Sequence, residues 1–203
     1  MAQMFLRALA DDLHRVLPPH GFGGTDLEYR RQRGHVVSCL AVQEHSSRTK
    51  CCVDLGVHLN FLPVVGGTDP VPLDAMTVAH CEIRRRLTPD PDLEDFWWAY
   101  DDGARQELVV TLETRGLSFF SEFESFPDYW QSISIEDLRM GTFARKMPGM
   151  TRVRAALLLA RLHAFLGDWV KAHDLAKYGL EVVPTIATGP KRAFKALLAQ
   201  RSG

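Results

Sequence analysis

The stretch that decides the fold reads HVVSCLAVQ over residues 35–43 and CCVDLGVHLN over residues 51–60, with a polar segment between them. In the second run, apolar side chains alternate with polar or small ones. One set is Val53, Leu55, Val57 and Leu59, and the other is Asp54, Gly56, His58 and Asn60. Strict alternation is typical of a half-buried antiparallel strand. The two runs therefore predict a β-hairpin at the centre of an antiparallel sheet.

The segments around this hairpin predict helices and further strands. Apolar residues recur at helical spacing over 5–17, and Pro18-Pro19 ends that helix. Short strands are expected at 27–31 and 79–87, and a helix at 103–115. We therefore expect an α+β fold over residues 1–140, with a three- or four-stranded antiparallel sheet and helices packed on one face.

A connector rich in Gly, Pro and basic residues at 141–149 predicts a boundary before a small helical subdomain at 150–203. This subdomain is expected to hold a helical hairpin and a terminal helix, packed on the α+β domain. The hairpin resembles one tetratricopeptide unit, with Gly167 at its turn and Pro184 at its end. Small residues that would let its helices approach closely are Ala160, Ala172, Ala176 and Gly179. No second copy of this pattern follows in the sequence.

Charge is unevenly distributed although the net charge is only −1. Residues 1–138 hold 22 acidic and 12 basic side chains, whereas 139–203 hold 3 and 12. Within the first part, 87–138 carry 13 acids and only two bases, Arg105 and Arg115. This asymmetry indicates either attraction between the two parts of the chain or an acidic surface that receives a basic partner.

The sequence favours a cytoplasmic protein with no membrane association. Charges at Arg7, Asp11 and Asp12 interrupt any apolar core that a signal peptide would need, and no apolar run approaches the length of a membrane span. The cysteine spacing matches no zinc or redox motif. A hairpin could bring Cys39 opposite Cys51, so a disulfide is geometrically possible, but a reducing compartment favours thiols.

Short motifs over residues 5–125 resemble a bacterial family described as domain of unknown function 4304. They are LPPHGF at 17–22, Tyr29-Arg30, the end of the 36–43 strand with Gln43, Ser46 and Ser47, VDLGV at 53–57, HCEIR at 80–84 and the pair Trp97-Trp98. Asp54 stands where the family pattern has asparagine. The resemblance implies a fold but no reaction and no catalytic residue.

The most enzyme-like side chains are Asp54, His58 and His80, with Cys81 beside them. Asp54 and His58 share a strand face but lie about 13 Å apart, which is too far for a direct acid–base pair. A hydrolase or a small-ligand binder that uses this face is the alternative hypothesis. No metal-ligand spacing, cofactor motif or phosphate-binding glycine loop is present, and the acidic middle of the chain disfavours nucleic acid.

The leading hypothesis is a non-enzymatic protein-binding module of the immunity or adaptor type, which binds a basic protein through an acidic, aromatic segment. Large amphipathic rings among negative charges suit recognition of a basic surface. At least one tryptophan is expected in the core. The candidate binding residues are Asp92, Glu94, Asp95, Trp97, Trp98, Tyr100, Asp101 and Asp102.

Overall fold

The computed structural model describes residues 2–64, 67 and 69–200. The chain divides into two compact units, of which one ends at Phe126 and the other begins at Pro127. The first unit holds an antiparallel sheet with several helices, and the second unit is helical. The α+β class predicted from the sequence is therefore confirmed.

The sheet of the first unit has the strand order β1-β2-β3-β4-β5, and β6 pairs with the start of β4. The sheet has more strands than the three or four expected. The prediction missed β1 and β6, because they are only three and two residues long and carry no alternating pattern. The strands are β1 (Gly23–Thr25), β2 (Glu28–Arg33), β3 (Val36–Glu44), β4 (Lys50–Leu59), β5 (Ile83–Arg86) and β6 (Trp98–Ala99).

The predicted hairpin is β3 and β4, which pair in register from Val36 opposite Leu59 to Glu44 opposite Cys51. One face of β4 carries the apolar set, whose four side chains are all at most 1% exposed. Helix α1 (Ala2–Val16) contributes a buried stripe at helical spacing and is followed by a 3₁₀ turn at Pro18–His20. The helix and the apolar strand face both contribute to the core of this unit.

The second face of β4 is also covered, by the segment 71–81. Met76, Val78 and Cys81 pack there against Val37 and Cys39 of β3. A Cβ atom at Gly56 would lie 2.7 Å from the Sγ of Cys81, so only glycine permits this approach. The sheet is therefore buried on both sides around Gly56.

Strand β5 begins at Ile83, four residues later than the 79–87 strand that the sequence predicted. Val78–His80 form a 3₁₀ turn instead, in which the Nδ1 of His80 accepts a hydrogen bond from the backbone N–H of Thr77 at 3.2 Å. A local side-chain hydrogen bond of this kind competes with strand pairing.

Helix α2 (Asp102–Thr111) follows β6, and the Asp101 side chain caps it by accepting the N–H of Ala104 at 2.8 Å. A π-helical turn at Leu112–Gly116 connects α2 to α3 (Leu117–Glu122). Gly116, at the end of this turn, is buried, and a Cβ atom there would lie 2.6 Å from Leu112 Cδ1, the flexible end of a side chain in the same turn.

The second unit contains five helices among the residues described. These are α4 (Asp128–Gln131), α5 (Ile135–Met140), α6 (Arg152–Phe165), α7 (Trp169–Val182) and α8 (Thr188–Ala199). Gly167, with a φ of 79°, makes the turn between α6 and α7, and Asp168 caps α7. The connector predicted at 141–149 lies within this unit and contains a 3₁₀ turn at Thr142–Arg145.

No helix among the described residues is long and apolar enough to cross a membrane.

Substitution of Gly56 by alanine should lower the free energy of unfolding by about 1–3 kcal/mol, because the added methyl group overlaps Cys81. Urea unfolding of the full chain, followed by circular dichroism, measures the change. Gly23→Ala is the matched control, since a Cβ at this exposed strand position meets nothing within 4 Å. Equal stability of the two variants would contradict the packing described at Gly56.

Candidate functional site

Two regions of the first unit carry the residues that the sequence singled out. One is the polar face of β4, where Asp54 and His58 lie. The other is the acidic-aromatic segment at 92–102, which leads through β6 into α2. We describe each from its side-chain contacts upward.

Asp54 is held in an ion pair with Arg86 of the neighbouring strand β5. The two residues lie opposite each other in the sheet, and the guanidinium donates to both carboxylate oxygens, at 3.0 and 3.4 Å. Arg86 also donates to Asp95 at 2.5 Å. Burial acts to lower the pKa of Arg86, but the hydrogen bonds to Asp54 and Asp95 outweigh it and raise the pKa overall. Asp54 is thus engaged as a structural carboxylate, in a shallow depression of about 300 Å³.

His58 is 1% exposed and is held by a different partner. Its Nε2 lies 3.2 Å from the carbonyl oxygen of Leu62, while its Nδ1 is buried with no hydrogen-bond partner among the described residues. Burial lowers the pKa of His58, so the ring is neutral and donates from Nε2. Because His80 is engaged with Thr77, the structure gives Asp54, His58 and His80 three separate partners.

The four cysteines are buried thiols without disulfides. The strand register places Cys39 opposite Gly56 and Cys51 opposite Glu44, so the pairing of Cys39 with Cys51 that the hairpin allowed does not occur. A hydrogen bond with Cys39, together with burial, raises the pKa of Cys81. Burial likewise raises the pKa of Cys51 to about 12 and that of Cys52 to about 11. A thiolate nucleophile is disfavoured at all three positions.

The two tryptophans of the acidic-aromatic segment have different environments. Trp98 lies in β6 opposite Cys51 and is 1% exposed, in agreement with the expectation that one tryptophan belongs to the core. Trp97 is half-buried beneath two cations, with Arg86 at 4.9 Å and Lys50 at 5.6 Å from the ring centroid. Its Nε1 donates to Asp95 at 3.2 Å. Trp97 therefore stabilises the position of Arg86 and Asp95, and its ring is partly covered by cations.

Several of the neighbouring polar residues also have internal partners. The Tyr100 ring stacks on Phe5 at 4.6 Å, and its hydroxyl donates to Glu44 at 3.1 Å. Asp101 caps α2, and Asp102 pairs with Arg105 at 3.5 Å. Of the eight candidate binding residues, three exposed acids make no ion pair within the described part of the chain. Asp101 is one of them and serves as the cap of α2, and the other two are Asp92 and Glu94.

The structure adds an exposed face of α2, of which the sequence-based prediction named only Asp102. Asp102, Gln106, Glu107, Val110 and Glu113 are all exposed along this helix and its π turn, and we call this set the α2 acidic face. Val110, at its centre, is 56% exposed. The apolar stripe of Leu108, Val109 and Leu112 fixes the buried side of the helix, so helical spacing could have identified the outward residues.

No group of three or more histidine, cysteine or acidic residues within 2–64, 67 and 69–200 is placed to hold a metal ion.

Acidification should destabilise the protein through His58. Its folded-state pKa is depressed, so the unfolded chain binds more protons near the ordinary histidine pKa of 6.5, and stability falls as the pH drops through that value. His58→Gln keeps a donor for Leu62 and should reduce the loss of stability between about pH 7 and pH 5 in urea titrations. The exposed His14→Gln is the control. An unchanged pH dependence for His58→Gln would contradict this assignment.

The native thiols should react slowly with a chromogenic disulfide reagent, because all four are buried and the pKa values of Cys51, Cys52 and Cys81 are raised. Absorbance should report four thiols only after urea unfolding. Ser46→Cys, at the exposed tip of the hairpin, should add one thiol that reacts at once. Rapid reaction of any native cysteine would show that a thiol is accessible and activated.

Comparison with known proteins identifies the first unit. No curated protein and no solved structure matches the chain. The model of the family described as domain of unknown function (DUF4304) matches residues 13–116, just over half of the chain. This range begins inside α1, spans the whole sheet and ends at the π turn. The chain therefore belongs to the DUF4304 family.

Proposed function

We propose that this protein is a non-enzymatic protein-binding module of the bacterial cytoplasm, in which the α2 acidic face receives a basic protein partner. An immunity-type protein that neutralises a basic, nuclease-like toxin is the form that fits best. The proposal concerns one surface of the first unit and does not depend on the second.

The observation that carries the proposal is an exposed apolar side chain surrounded by acids without ion pairs. Val110 is 56% exposed, and Glu107 and Glu113 beside it make no ion pair with any residue in the described part of the chain. Arg105 is the only cation in α2, and it is half-buried, where it is bound to Asp12 and Asp102. The outward field of this helix is therefore negative.

Such a surface has the two properties that a docking site for a basic protein needs. Negative charge attracts a basic partner over distances up to about a Debye length of roughly 8 Å, and faster association follows. An exposed valine gives the contact an apolar centre from which water is removed on binding. Asp92 and Glu94, which are exposed in the loop before β6, add to the negative charge of the same unit.

The hydrolase alternative has less support, because its candidate groups are already engaged. Asp54 neutralises Arg86, His58 is buried against Leu62, and His80 accepts from Thr77. A general base must reach the proton that it abstracts, and a buried or ion-paired group does so only after rearrangement.

We also propose that the hairpin of α6 and α7 is a tetratricopeptide-type unit closed by α8. The small residue Gly179 supports this, since a Cβ there would lie 2.1 Å from the Phe194 ring of α8. Close approach of helices at small residues is characteristic of such repeats, and an additional helix can cap the end of a stack.

Charge reversal on the α2 acidic face should abolish partner capture. The immobilised wild-type chain is expected to retain a basic protein from host lysate at low salt and to release it at high salt. Glu107→Lys with Glu113→Lys should weaken retention by about tenfold or more. Both side chains are exposed, so the variant should keep the wild-type free energy of unfolding.

The matched control is Asp11→Lys with Glu28→Lys, which changes the net charge equally on α1 and β2. Retention by the control but not by the α2 variant supports the proposal. Equal loss in both variants would indicate a nonspecific charge effect. Undiminished retention by the α2 variant would show that the partner binds elsewhere.

A further inference from the structure

A second surface of the first unit, a small polar cleft, has an unusual concentration of positive charge. It lies between the edge strand β5 and the helical segment formed by the π turn and α3, and its volume is about 180 Å³. We call it the arginine cleft. The side chains that matter are Arg85, Thr88, Arg115, Ser118, Phe119 and Glu122.

Arg85 reaches this cleft because of the strand alternation in β5. It lies opposite Leu55 in the sheet, on the side covered by helices, whereas its neighbours Arg84 and Arg86 lie on the other side. The Arg85 side chain is exposed and makes no hydrogen bond or ion pair with any residue that the structure describes. All of its five N–H donors are therefore available to a ligand.

Arg115 enters the cleft from the opposite wall. One guanidinium nitrogen donates to the carbonyl oxygen of Pro89 at 2.7 Å, which holds the side chain in place. Arg115 has no ion pair with an acid in the described part of the chain, although residues 87–138 hold 13 acids. The other base of that segment, Arg105, is paired with Asp12 and Asp102.

The π turn is an independent sign that this wall of the cleft is specialised. Turns with π geometry are rare and occur frequently at functional sites. This one contains Arg115 and ends at the buried Gly116. Two residues later, the exposed Ser118 adds a hydroxyl that has no hydrogen-bond partner among the described residues.

We infer that the arginine cleft binds a small oxyanion, which is the phosphate or carboxylate group of a small molecule. Two guanidinium groups without acid partners in the described part of the chain and one hydroxyl line the same cleft, and they supply the charge and the hydrogen-bond donors that such a group needs. The volume equals that of about six water molecules, which is below the size of a drug-like site and limits the ligand to a few heavy atoms beyond the anion.

Glu122, which lines the cleft, limits the net negative charge of the ligand. Its exposed carboxylate has no ion pair within the described residues, and it would repel a ligand of high negative charge. It would accept a hydrogen bond from a hydroxyl or an amino group that the same molecule carries. This binding role is independent of the α2 acidic face and goes beyond the proposed function.

The test is a titration of the isotope-labelled full chain followed by ¹H–¹⁵N correlation spectra. Sodium phosphate and sodium butyrate are the two probes, and sodium chloride holds the ionic strength constant. We expect saturable shifts of the amides at 114–118 with at least one probe. Saturation with phosphate alone assigns a phosphate ligand, and saturation with butyrate assigns a carboxylate.

Arg85→Gln and Arg84→Gln form a matched pair, since both are exposed arginines of β5 on opposite faces of the sheet. Arg85→Gln should raise the Kd about tenfold or more through the loss of charge-assisted hydrogen bonds, and Arg84→Gln should leave it unchanged. Spectra of the unliganded variants verify that each is folded. The inference is overturned if neither probe saturates, if chloride alone gives the same shifts, or if Arg84→Gln weakens binding as much as Arg85→Gln.

Discussion

Burial of the second face of β4 is the constraint on which the first unit depends. A strand covered on both sides must neutralise or accommodate every polar residue that it carries. Gly56 provides the space in which Cys81 packs on the sheet, Arg86 neutralises Asp54, and the Leu62 carbonyl accepts from His58. Each of the three contacts ties β4 to a different part of the segment that follows it. The side chains that resemble an active site are thus the ones that fix this segment on the sheet.

Arg86 extends the same principle to the acidic-aromatic segment. Its guanidinium joins Asp54 on the sheet to Asp95 in the following loop and lies over the Trp97 ring. Side chains held between two carboxylates and an aromatic face lose conformational freedom, but the half-buried setting strengthens each electrostatic contact. The segment is thereby fixed at the point where Trp98 enters the core as part of β6. The acids closest to the sheet serve the fold, whereas Asp92 and Glu94 stay exposed without ion pairs in the described part of the chain.

The sequence predicted the parts of the structure that local pattern determines. The β3–β4 hairpin, the α1 stripe and the Gly167 turn each follow from periodicity or from a required backbone conformation. The alternation of β4 was misleading about its second face, because Asp54 and His58 appear solvated until their partners at Arg86 and Leu62 are known. Those partners are 32 and 4 residues away and come together only through the fold. The π turn likewise has no signal in hydrophobic spacing. The sequence could therefore indicate which residue types are candidates for a site. It could not predict whether each side chain is already engaged by another residue of the fold.

The π turn contains two opposite charges, Glu113 and Arg115, that form no ion pair with each other. Residues two apart on a helix point in nearly opposite directions, so Glu113 and Arg115 lie on different sides of the same turn. Glu113 joins the outward α2 acidic face, while Arg115 is held by the Pro89 carbonyl at the arginine cleft. The helical segment therefore presents a negative face to solvent and a positive group to the sheet edge.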